Sequence, residues 1–206
     1  MNHTSGPTTK SRARRSAGLS DIQLQACEHA YKYVMGACNL ESLIIEGRRL
    51  DLLCQRKGFS SDELTAIYVE VAINCRRSLE KRRVVAQNLE GFINEQYFRL
   101  DPQRADTSAQ QREQIPDTCC EIATAISRNE IRSIVSASMQ SLISMESLKK
   151  RFQALLFEQS QFGICEHELL ALMEEERRQM LLRTFDHMQR CDRLTRFASE
   201  LASSSF

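Results

Sequence analysis

The 206-residue chain has no tryptophan, three prolines, seven glycines and few aromatics. So little turn chemistry and so few large flat side chains argue against a sandwich or barrel, which needs a turn every few residues. No apolar run approaches the roughly eighteen residues of a spanning helix, and Met1-Asn2-His3-Thr4-Ser5-Gly6 does not resemble a secretory core. A product inside the cell, without a membrane span, is expected. Charge of one sign is missing too: 28 Lys+Arg stand against 27 Asp+Glu, so no global field draws the molecule to nucleic acid or an anionic surface.

What is present is helical periodicity. Apolar residues return every three or four positions through four long stretches, a pattern that buries one stripe of each helix against its neighbours. The expected fold is all-α: an elongated helical bundle or paired helical hairpins, compatible with coiled-coil packing. Residues 1–18, rich in Ser, Thr, Gly and base, read as a disordered arm. An N-terminal helical region at 19–100 and a C-terminal one at 117–203 follow, separated by a polar linker or loop at 101–116 that is flanked by Pro102 and Pro116.

Start and stop signals subdivide these regions. Leu19-Ser20-Asp21-Ile22-Gln23-Leu24 and Phe59-Ser60-Ser61-Asp62-Glu63-Leu64 each combine a capping serine, a Gln or Glu three residues on, and a flanking apolar pair. Gly36 is a weak point in the first stripe, so one bent helix or two consecutive ones are expected before Gly58, which is placed to end the second. Thr118 is the expected cap of the third block. Ser127-Arg128-Asn129-Glu130 and Ser144 are places for a kink or a new start, and Gly163 is a stop.

Chemistry does not converge. The glycines form no phosphate loop, and neither a His-Glu-x-x-His motif nor a glycine-flanked serine elbow occurs. Cys165-Glu166-His167 with Cys119 and Cys120 is the best chemical fragment, yet adjacent cysteines lack the C-x-x-C bite of a zinc cassette. The eight cysteines mostly fall within helical patterns and read as reduced, small apolar side chains. No catalytic residue, metal site or cofactor is assigned.

The expectation is therefore a noncatalytic helical interaction subunit or adaptor. It would meet a protein partner or a second copy through broad apolar faces, with Leu142, Phe152, Leu172, Met180 and Phe185 as packing or interface anchors. The alternative is a nucleic-acid- or chromatin-associated protein that contacts phosphates through Arg12, Arg14, Arg15, Arg76, Arg77, Lys81, Arg82 and Arg83. The basic arm favours the nucleus over the cytoplasm.

Overall fold

A computed structural model describes residues 9–100 and 115–203, with side chains from residue 21 onward in the first stretch. The described residues form six helices and no strand: α1 (Thr9–Val34), α2 (Leu40–Arg56), α3 (Ser61–Arg99), α4 (Asp117–Met139), α5 (Met145–Ser160) and α6 (Glu166–Ser203). The all-α expectation is met. Residues 1–8 of the expected arm and 101–114 of the expected linker lie outside the described residues.

Most boundaries have a local cause. Asn39 caps α2, its Oδ1 accepting the Ser42 N–H at 2.8 Å. Before α3, Ser60 Oγ accepts the Asp62 N–H at 3.1 Å, and Ser144 Oγ does the same for Ser147 at 3.1 Å before α5. Each bond satisfies an amide that the first turn leaves without a carbonyl. At the other ends, Gly36, Gly58 and Gly163 adopt positive φ after α1, α2 and α5. The following amide then bonds back across the last turn, as Phe59 N–H does to Cys54 O at 2.9 Å.

Three local expectations differ from the structure. The backbone of α1 starts at Thr9 and runs through Ser20, so the serine expected to cap a helix lies within one. Lys, Arg and Ala dominate positions 10–17, and these straight-chain or small residues let a helix continue toward the N-terminus. At α4 the N-cap position is Pro116 rather than Thr118, and no side chain caps it. Proline's fixed φ suits the entry to a helix, and Pro116 O accepts the Cys119 amide at 2.8 Å. Finally, α4 passes Ser127 unbroken, and the Ser127 hydroxyl, instead of capping a new start, bonds to Ala123 O at 2.8 Å within the helix.

The chain packs as two compact units: Met1–Leu79 with Phe185–Phe206, and Glu80–Thr184. The division falls within α3 and α6, not at the polar interval 101–116. In unit 1, α1, α2, the first part of α3 and the last part of α6 enclose Tyr33, Leu43, Leu50, Tyr68, Leu194 and Phe197. Tyr68 meets Phe197 edge to face, with centroids 5.5 Å apart. Gly47 lies under that pair, where a Cβ would collide with the Phe197 ring.

Unit 2 is built from the rest of α3, α4, α5 and the first part of α6. Its core includes Leu89, Phe92, Ile131, Phe152, Leu169 and Met173, and Phe92 packs edge to face on Phe152 at 5.7 Å. No helix among the described residues is long and apolar enough to cross a membrane.

Candidate functional site

The five expected anchors separate by burial. Phe152 is completely enclosed in the core of unit 2, so it packs the domain and offers nothing to a partner. Leu172 and Met180 are half-buried against the same core. Leu142 is exposed in the turn after α4, and Phe185 is partly exposed on α6.

The expected phosphate contacts do not form one field. Arg76 is paired with Asp192 inside unit 1, and Arg83 with Glu80 at 3.0 Å inside unit 2. Arg77 and Lys81 are exposed, while Arg82 is half-buried. The side chains of Arg12, Arg14 and Arg15 lie outside the described residues.

Cys119 is exposed and Cys120 buried, and His167 meets Tyr97 edge to face with centroids 5.4 Å apart. Among the described residues no three His, Cys, Asp or Glu side chains gather in a way that could hold a metal ion. Burial, with the nearby Cys75 and Asp192, pushes the Cys191 thiol up to about 11, so it stays protonated at neutral pH and is a poor nucleophile.

Two polar arrangements stand out, the first built on Glu174-Glu175-Glu176-Arg177-Arg178, whose acids and bases already fall at helical spacing in the sequence. In unit 2, the buried Arg177 donates to both oxygens of Glu174 at 2.7 and 2.8 Å and reaches Glu90 at 3.2 Å. These bonds, joined by one from Arg178, hold the Glu174 carboxyl below its usual range against the opposing effect of burial. Next to it Arg132 grips Glu176 through two nitrogens at 2.9 and 3.1 Å. In unit 1, Arg190 is fixed by Asp186 at 2.9 Å and reaches the carbonyls of Tyr33 and Cys38, both at 3.4 Å. A guanidinium there places a cation at the C-terminal end of α1, where the helix carries partial negative charge.

Apolar side chains also lie outside these cores. On α2, Ile45 and Leu52 are 62% and 54% exposed. They stand two turns apart on the face opposite Leu43, Gly47, Leu50 and Cys54. Leu24 and Tyr31 repeat the arrangement on α1. Unit 2 carries an open groove of about 260 Å³ between α4 and α6, lined by Thr124, Ser127, Ile164, Glu168, Ala171, Leu172 and Glu175.

No protein-family model, curated protein or solved structure matches the chain.

Proposed function

We propose that the chain is a noncatalytic α-helical interaction subunit whose outward apolar faces meet a protein partner or a second copy. The observation that supports this reading is the Ile45/Leu52 pair on α2. The core side of that helix is already filled, yet two large aliphatic side chains stand on the opposite face at helical register. Single exposed apolar residues are ordinary. Pairs in register on two helices of one unit are what a helical partner engages.

The test is a double substitution, Ile45→Glu with Leu52→Glu. Circular dichroism and melting should stay close to the parent, because exposed positions usually change stability by within about 0.5 kcal/mol. Association should fall, read as loss of a stoichiometric copurifying protein or, for self-association, as a lower mass in light scattering. An unfolded variant, or one that keeps its complex, would count against the reading.

The phosphate-binding alternative draws on the basic arm and on exposed Arg77 and Lys81. It is weakened by the pairing of Arg76 and Arg83 with acids in their own units. Salt-sensitive binding of a labelled duplex at low ionic strength, lost on deleting residues 1–18, would restore it. Nuclear placement belongs to the same proposal, and imaging of the full and arm-deleted chains tests it.

A further inference from the structure

Unit 1 carries an open groove of its own, about 400 Å³, between α3 and α6. Two contacts set its register: Tyr68 against Phe197 and, further along α3, Arg76 against Asp192. α6 retreats as α3 advances, so the two helices run antiparallel here. Ala72 and Ile73 lie one turn before Arg76, and Thr195 and Arg196 one turn after Asp192. All of them line the groove, which therefore has an ion pair at one end and Arg196 at the other.

The floor between them is apolar. Ala72 and Cys191 are buried, Ile73 is 45% exposed, and the Thr195 hydroxyl is engaged with Cys191 O at 3.1 Å within its own helix. The charges around that floor do not cancel. Asp192, the acid in the lining, is taken by Arg76. Arg196 is exposed, and among the described residues no carboxylate is paired with it. Arg77 and Arg193, which follow the ion pair in the two helices, are exposed as well. A surplus guanidinium repels a basic occupant and attracts an acidic one. A phosphate backbone would meet the charge and leave Ile73 uncovered, whereas an amphipathic helix satisfies both.

We propose that the α3/α6 groove of unit 1 seats an acidic amphipathic helix of a partner protein. An aliphatic side chain of that helix lies on Ala72 and Ile73, and a glutamate one turn away on the same face pairs with Arg196. The planar guanidinium grips a carboxylate through two nitrogens, which fixes the orientation of the incoming helix as well as its charge. This rests on the reading of the chain as an interaction subunit and gives one partner its chemistry.

The probe is a capped alanine-based helical peptide with leucine at i and glutamate at i+4, titrated into the isotope-labelled full chain. Its counterpart carries lysine at i+4. Amide shifts should cluster at Ala72, Ile73, Thr195 and Arg196 with the glutamate peptide alone. Arg196→Glu, at an exposed position, should keep the parent circular dichroism, weaken that peptide about tenfold and admit the lysine peptide. Arg196→Gln should weaken the first without admitting the second. Equal binding of both peptides to the parent chain, shifts centred elsewhere, or an unchanged response in either folded variant would overturn the assignment. So would a short DNA duplex that shifts these amides when the glutamate peptide does not. If the α2 substitutions abolish a complex but the glutamate peptide leaves the groove untouched, the groove assignment alone fails. If the peptide binds as expected and the chain has neither partner nor self-association, the broader reading fails.

Discussion

Gly47 and Gly91 both sit inside helices, but the space above each Cα differs. A methyl at Gly47 meets the Phe197 ring and the Tyr68 hydroxyl, whereas one at Gly91 meets nothing. Gly47→Ala should therefore cost about 1–3 kcal/mol through overpacking of a closed core. Gly91→Ala should stabilise by about 0.5–1 kcal/mol, because glycine in a helix interior gives up more backbone freedom. Chemical denaturation of the two variants checks the opposite signs. At Glu174 the expected effect depends on pH. Its carboxyl is depressed in the folded chain, so unfolded molecules bind that proton more readily. The stabilisation is complete above the ordinary carboxylate value of 4.5 and is lost as pH falls through the depressed folded value. Glu174→Gln should make the acid limb of the stability profile shallower, as read from melts between about pH 7 and 3.

At the scale of the element, helix ends reveal what a sequence can disclose. Gly58 and Gly163 stop α2 and α5 as their positions imply, and Ser60 and Ser144 cap their helices. Ser20 fails as a start because capping syntax competes with the helix-forming residues before it, and local pattern does not say which wins. After α4 the positive-φ position is Ser141, at 57°, and its residue type gave no warning. Ser141→Gly removes a Cβ from that left-handed conformation and should add about 0.5–1 kcal/mol, measurable as a higher urea midpoint. The same limit applies to the surfaces. Periodicity marked Phe152 and Leu142 alike as anchors, although one is in the core and the other in a turn. Ile45 and Leu52 were legible in another sense: they are the apolar residues left over once the α2 stripe through Leu43 and Leu50 has been drawn. The Glu174 pairs with Arg177 and Arg178 follow from helical spacing, whereas Arg177–Glu90 and Arg132–Glu176 were not legible, since they join different helices and are set by packing.

For the whole molecule, the sequence pattern identified the fold class but placed the division at the polar interval. Contacts place it within α3 and α6, because helices that continue from one core to the next leave no break in periodicity. Unit 2 is contiguous in sequence, and all its core residues lie between Ala86 and Met173. A fragment of residues 80–184 should keep a cooperative thermal transition by circular dichroism. Residues 1–79 alone should not, since they lack Cys191, Leu194, Phe197, Ala198 and Leu201 from their own core.

That split core orders events on the ribosome. At synthesis rates of about 5–20 residues per second, roughly 5–20 seconds pass between the emergence of residue 79 and that of residue 185. Throughout that interval Leu43, Leu50 and Tyr68 await the Phe197 side of their cavity, while unit 2 emerges and by its end has its complete set of core residues. The nascent chain is thus built from its middle outward. Its earliest segment is the last to close, and its wait coincides with the period when chaperone holdases can shield oily surfaces.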